Sequence, residues 1–139
     1  MIRFATTIIT MSCIFLAGCA ASESAPGSAS GDDCFRIRQI NSWDAIDRKH
    51  IYLKEGVSNH YLLTMFSSCP GVKYAQAIAL SNHMGRVCPN DFGRITYRDA
   101  GMTQSCRIDN VERVASKEAA VALVESRTAE DEEQLGETE

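Results

Sequence analysis

His50-Ile51-Tyr52-Leu53-Lys54 and, after five intervening residues, His60-Tyr61-Leu62-Leu63-Thr64-Met65-Phe66 decide how this chain folds. Both runs are rich in aromatic and branched side chains, which fit a pleated, half-buried surface. Glu55-Gly56 between them has the composition of a turn, so the two runs predict a hairpin around Glu55 to Asn59. Toward the N-terminus, Cys34-Phe35-Arg36-Ile37-Arg38-Gln39-Ile40 alternates apolar and polar residues, the pattern of a strand with one wet face. Asn41 or Ser42 then caps a helical turn or bends the chain through Asp47, with Trp43 and Ile46 spaced to pack on one side. Toward the C-terminus, Ser67 to Gly71 breaks the sheet. The alanine content of Val72 to Leu80 predicts helix in its first half. The second half, Ala77-Ile78-Ala79-Leu80, also fits a short strand.

Further strands are predicted at Arg86-Val87-Cys88, Arg94 to Arg98, and Gln104 to Ile108 with an extension toward Val111. Turns at Pro89 to Gly93 and Asp99 to Met102 separate them. The sum is a mostly all-β domain, a small antiparallel barrel of SH3-like or OB-like kind with five to six strands and a short helix. The alternative is an open α+β sheet with one helix at residues 72–80. Ser116 is placed to cap a last helix over Lys117 to Arg127, with Val121 and Val124 on one side. From Thr128 the residues are acidic and almost devoid of apolar side chains, which predicts disorder.

At 139 residues the chain is too short for a TIM barrel, a full Rossmann enzyme or a kinase. The division predicted is 1–18 leader, 19–33 tether, 34–114 folded domain, and 115–139 short helix with an acidic disordered tail. A domain of about 80 residues buries a modest share of its surface and often needs a staple.

Met1-Ile2-Arg3 is a short basic start, and Phe4 to Leu16 is uncharged and apolar or small. Such a segment is too short for an ordinary transmembrane helix and fits the core of a signal peptide. Leu16-Ala17-Gly18-Cys19, which closes it, resembles the lipobox of bacterial lipoproteins. That resemblance implies cleavage before Cys19, diacylglycerol on its thiol and acylation of the new amino terminus. Several acyl chains make a stable anchor where one holds weakly. Ala20, where an aspartate would favour the inner membrane in such lipoproteins, implies attachment to the outer membrane facing the periplasm. Residues 20–33, AASESAPGSASGDD, read as a flexible tether.

With Cys13 in the leader and Cys19 lipidated, Cys34, Cys69, Cys88 and Cys106 remain. An even number of cysteines in an exported chain predicts two disulfides. Three connectivities are possible. The preferred one joins Cys69 to Cys88 across a loop and Cys34 to Cys106 between the first and last strands. Spacing without a C-x-x-C pair argues against structural zinc and against redox catalysis.

Charge is uneven. Residues 34–113 hold eleven basic and seven acidic side chains, residues 114–139 two and eight. A mildly basic domain with acidic tails suggests an anionic partner in the envelope or a tail that folds back to screen the basic face, against the plainer reading of solvated charge. Export argues against nucleic acid as a partner.

The string Cys34-Phe35-Arg36, then Ser42-Trp43-Asp44-Ala45-Ile46-Asp47, Tyr61-Leu62-Leu63, Ser68-Cys69-Pro70-Gly71, Gly85-Arg86-Val87-Cys88 and Cys106-Arg107-Ile108-Asp109 resembles the DUF6491 family of small uncharacterised proteobacterial lipoproteins. The resemblance spans Cys34 to Val114. It implies the address and the disulfides and brings no activity or catalytic residues.

The motifs of chemistry are sparse. His50, His60 and His83 share no metal spacing, although His50 and His60 would approach if their strands pair. No G-x-S-x-G string occurs. Asp44 and Asp47 cap turns or pair with Arg48 and Lys49 more simply than they do acid–base work. No cofactor is called for. The expected function is a non-enzymatic binding or structural module, anchored in the outer membrane through its N-terminal lipid, whose partner is an anionic envelope ligand or a protein. Its binding surface is expected to include Arg36, Arg38, Arg94, Arg98 and Arg107, with Trp43 as an aromatic candidate that a small β domain also needs for its core. A small envelope hydrolase and a metal-handling lipoprotein are the alternatives.

Overall fold

The computed structural model describes residues 33–136, with side chains to residue 132. The leader, Cys19 and all of the tether before residue 33 lie outside the described residues. The predicted hairpin is the centre of the fold. Strand β3 (His50–Glu55) pairs antiparallel with β4 (Asn59–Met65), Glu55 opposite Asn59 and His50 opposite Thr64. Gly56 takes the positive φ of 58° that the turn requires.

Strand β2 (Ile40–Ala45) adds to the outer side of β3, so the helical turn expected at 41–47 is a strand instead. On the other side β4 pairs with β8 (Met102–Val114), a strand of 13 residues. The lower half of β8 pairs with β7 (Arg94–Asp99) through a two-residue turn in which Ala100 and Gly101 both have positive φ. Strand β5 (Ile78–Ser81) closes the order β2-β3-β4-β8-β7-β5. Two short strands, β1 (Phe35–Arg36) and β6 (Arg86–Val87), form a separate ribbon.

The protein is therefore mostly β with one helix, and the expected SH3-like or OB-like barrel is corrected to a curled, open half-barrel with a smaller two-stranded sheet. The reason lies in the first strand. Only two residues of it pair, and they pair with β6, not with the last strand, so β2 and β5 remain separate edges. The helix expected at 72–80 is also corrected. A single 3₁₀ turn at Val72–Tyr74 follows Gly71, which has a φ of 78°, and Ala75 is already extended toward β5.

The sheet's inner face holds the main core. Ile51 and Leu53 from β3, Tyr61, Leu63 and Met65 from β4, Ile95 and Tyr97 from β7, and Ile108 and Val111 from β8 are all buried there, and Phe35 and Val87 of the ribbon close over them. Gly93 sits where a Cβ would come within 2.9 Å of Ile108 and Val87, so the loop before β7 packs directly on this core. A register shift between Thr64 and Met65 leaves Asp109 as an extra residue in β8.

The outer face of β3, β4 and β8 is covered by α1 (Lys117–Gly136). Ser116 Oγ accepts the Ala119 N–H at 3.2 Å, the cap expected from sequence. Ala120 and Val124 are buried against Tyr52 and Leu62, with Leu123 and not Val121 beside them. So thin an apolar stripe is supplemented by charge. Arg127 donates two hydrogen bonds, of 2.8 and 2.7 Å, to the carboxylate of Glu112, which is 2% exposed. The helix runs through Gly136, so the disorder expected from Thr128 is corrected as far as residue 136. Acidic residues there are tolerated because α-helix formers predominate and the docked first half supplies the nucleus.

The disulfides join Cys34 to Cys88 and Cys69 to Cys106, which corrects the preferred pairing. Phe35 lies opposite Val87, so Cys34 and Cys88 are neighbours in register. Cys106 faces inward from β8, and the chain leaving β4 folds back over the core to bring Cys69 to it. The sequence separations are 54 and 37, and closing loops of that length stabilises by about 4 kcal/mol each in the chain-entropy model.

Three outcomes follow from this architecture. Non-reducing digestion yields linked peptides for Cys34 with Cys88 and Cys69 with Cys106, and recovery of a Cys69–Cys88 peptide contradicts the fold. Arg127→Ala leaves Glu112 buried and uncompensated. Its cost is about 3 kcal/mol, measured by denaturant unfolding, with helix amides exchanging first. The third concerns Asp47 in the β2–β3 turn, whose Oδ1 accepts the backbone N–H groups of Lys49 and His50 at 2.6 and 2.7 Å. Partial burial works to raise its pKa. The hydrogen bonds from the His50 ring and the two amides overcome that and hold the carboxyl below its ordinary value. A depressed folded pKa gives stability above the ordinary carboxylate range that is lost as pH falls through the folded value. Asp47→Asn therefore lowers the melting temperature near neutral pH, and the difference from the parent closes as pH falls through the depressed folded pKa of Asp47.

Candidate anion-binding surfaces

The six residues expected to form one surface do not meet. Trp43 is half-buried on β2 and packs against the main core. Arg36 and Arg38 lie on and just after β1, whereas Arg94, Arg98 and Arg107 stand on β7 and β8. The arginines divide into two groups because the first strand leaves the sheet to pair with β6.

The first group is a groove of about 550 Å³ lined by Arg36, Arg38, Gln39, His83, Met84, Gly85 and Arg86. Antiparallel pairing sets Arg36 directly opposite Arg86. Like charges in that position destabilise a strand pair. Among the described residues neither guanidinium has a carboxylate partner, and no acidic residue lines the groove. The nearby Glu55 is occupied differently: its Oε1 accepts the backbone N–H of Arg36 at 2.8 Å, and its Oε2 accepts from Tyr61 Oη and Asn59 Nδ2. The loop that walls the groove is tied by Asn82, whose Oδ1 accepts the Met84 N–H at 2.7 Å. Asn82 Nδ2 is a buried donor without a partner among the described residues.

The sequence held a signal for this arrangement that the reading missed. Cys34-Phe35-Arg36 and Arg86-Val87-Cys88 mirror each other around the disulfide, so the Cys34–Cys88 bond alone dictates that the arginines oppose.

The second group lies on the outer face of the sheet beyond the helix. Arg94 is directly opposite Arg107. The Arg107 guanidinium lies 3.8 Å from the ring centre of Phe66 and 5.5 Å from that of Phe92. Phe66 and Phe92 are 59% and 77% exposed. Neither was singled out from sequence, because Phe66 reads as the end of a strand and Phe92 as part of a turn. Arg98 stands farther along β7, beside a cavity of about 700 Å³ at the β5 edge with Tyr74 and Thr103.

The histidines are apart. His50 and His60 lie on paired strands, but the register sets His50 opposite Thr64 and His60 opposite Lys54, at opposite ends of the hairpin. His60 Nδ1 meets Tyr52 Oη at 2.5 Å, and His83 is exposed in the groove loop. His50 Nδ1 lies 2.8 Å from Asp47 Oδ2, beside a cavity of about 780 Å³ that includes Arg48, Lys49, Lys73, Thr128 and Asp131. A carboxylate that orients an imidazole is half of a catalytic arrangement. Here the same carboxylate also caps the turn. Among the described residues no three His, Cys, Asp or Glu gather as metal ligands.

A third polar cluster joins β1 to the hairpin. Tyr61 Oη bonds the Cys34 carbonyl and Glu55, both at 3.1 Å, and receives Arg113 Nη2 at 3.2 Å. Burial raises the Tyr61 pKa, against the opposing pull of Arg113. Glu55, read from sequence as a turn residue, is buried at 6% exposure and locks the point where the chain enters the domain.

No curated protein and no solved structure matches this chain. One family model does, described as a family of unknown function, and it covers residues 1–130 of the 139. The chain belongs to the DUF6491 family.

Proposed function

We propose that this protein is a non-enzymatic binding module for an anionic envelope ligand, held at the periplasmic side of the outer membrane by lipid on Cys19. The observation that carries the binding reading is the opposed pair Arg36 and Arg86, joined by Arg38 and His83 around one groove with no carboxylate among its described lining, Glu55 lying in the adjoining cavity that both arginines also border. A phosphate or carboxylate group placed between the two guanidiniums relieves their repulsion and accepts charge-assisted hydrogen bonds from both. The disulfide beside them fixes their spacing, so little ordering entropy is lost on binding.

The membrane part of the reading rests on Leu16-Ala17-Gly18-Cys19 and the uncharged run before it. The hydrolase alternative rests on the Asp47–His50 pair, and a metal-handling role has no cluster among the described residues to support it.

Two measurements test the two parts separately. Intact-mass analysis of protein from native membranes gives a chain that starts at Cys19 and carries acyl chains; a chain that retains residues 1–18 defeats the anchor. Titration with inorganic pyrophosphate, followed by amide shifts, gives saturable changes at residues 36–38 and 83–87. Arg36→Gln with Arg86→Gln abolishes them, while Arg94→Gln leaves them intact. Shifts spread evenly over all basic residues defeat the groove.

A further inference from the structure

The groove leaves the second arginine group unused, and its chemistry differs. The Arg107 guanidinium lies over the ring of Phe66, with the ring of Phe92 farther off, and both phenylalanines are exposed. Backbone bonds hold the three in place: the Phe66 N–H donates to Arg107 O at 3.0 Å, and the Ile108 N–H donates to Gly93 O at 2.8 Å, next to Phe92. Arg94 opposes Arg107 across the strand pair and donates to Ser105 Oγ at 3.3 Å. Neither arginine has a carboxylate partner among the described residues, Asp91 and Asp109 included.

Two projecting phenyl rings beside two uncompensated guanidiniums combine apolar insertion with phosphate binding, the two contributions a bilayer surface rewards. Its position relative to the N-terminus favours that partner. Cys34, where the chain enters the domain, is bonded to Cys88, and the Asp91 N–H returns to Cys88 O at 3.0 Å, one residue before Phe92. A lipid on Cys19, as proposed above, is 15 residues from Cys34 in the chain and would hold this face at high effective concentration against the membrane.

We infer that Phe66, Phe92, Arg94 and Arg107 form a bilayer-docking surface, the rings entering the headgroup region and the arginines holding lipid phosphates. The biological setting rests on the lipid anchor proposed above, but the surface itself is testable without it.

The test uses the unlipidated chain from Ala20 to Glu139, which keeps every described residue, in co-sedimentation with vesicles. Vesicles of phosphatidylglycerol and phosphatidylethanolamine retain the protein at low salt, and phosphatidylcholine vesicles retain far less. Arg94→Gln and Arg107→Gln each weaken partitioning about fivefold. Phe66→Ala with Phe92→Ala weakens it about tenfold. Val57→Ala, an exposed apolar residue at the far hairpin turn, leaves it unchanged. Melting temperatures equal to the parent's confirm that the variants fold. Absence of binding, equal binding to both vesicle types, or an equal loss in Val57→Ala overturns the inference. A failed pyrophosphate titration or an unacylated Cys19 moves neither vesicle result, so the readings fail independently.

Discussion

One extra residue in β8 governs which side chains this fold buries. Side chains alternate faces along a strand, so a single insertion exchanges the faces of everything beyond it. In the upper half of β8, Val111 and Arg113 face inward and Glu112 faces the helix. Past the shift at Asp109, Ile108 and Cys106 face inward and Arg107 faces out. Without it, the Cys69–Cys106 bond, the core under β7 and the outward placement of Arg107 could not coexist with the ion pair to the helix. The bulge also bends β8, which lets one strand serve two neighbours and curls the sheet into a half-barrel.

The second constraint acts at the point where the chain enters the domain. A strand of two residues cannot hold by its own hydrogen bonds. It is fixed by three things at once: the Cys34–Cys88 bond, Phe35 in the core, and the buried carboxylate of Glu55 on the Arg36 amide. The same fastening that secures this ribbon forces Arg36 against Arg86. Stability at the entry and a concentration of positive charge are therefore one arrangement, and the strain of the like charges is carried by a covalent bond.

The parts of the fold that could be read from the chain were those with local cause. The β3–β4 hairpin, the strand at Arg94–Arg98 and the Ser116 cap follow from alternation, turn residues and capping chemistry. What escaped was set at a distance. The periodicity of β8 breaks at Asp109, so its upper half did not read as one strand with the lower. The run around Trp43 carries polar residues at its start because β2 is an edge strand, with water on one side. The alanines of 72–80 favour helix, but Gly71 and the pairing of β5 with β7 override that preference. Disulfide partners depended on knowing that β1 neighbours β6. The arginines were legible as residue types, and their division into two groups was not, since it follows from that same neighbour relation.

The distribution of counter-charge separates structural charges from the rest. Where this chain needs a charge held, it supplies the partner: Glu112 for Arg127, Asp44 for Lys117, the turn carboxylate Asp47 for His50, and the Tyr61 hydroxyl for Arg113. The acidic helix, which could have folded over the basic face, docks instead on β3, β4 and β8, and its Asp131 borders the cavity that holds Arg48, Lys49 and Lys73. The described acidic residues of this helix form no ion pair with either opposed arginine pair. Among the described residues, Arg36 stands against Arg86 and Arg94 against Arg107 with no carboxylate paired to either, so an anion bound at each pair would relieve a repulsion that the described fold leaves in place.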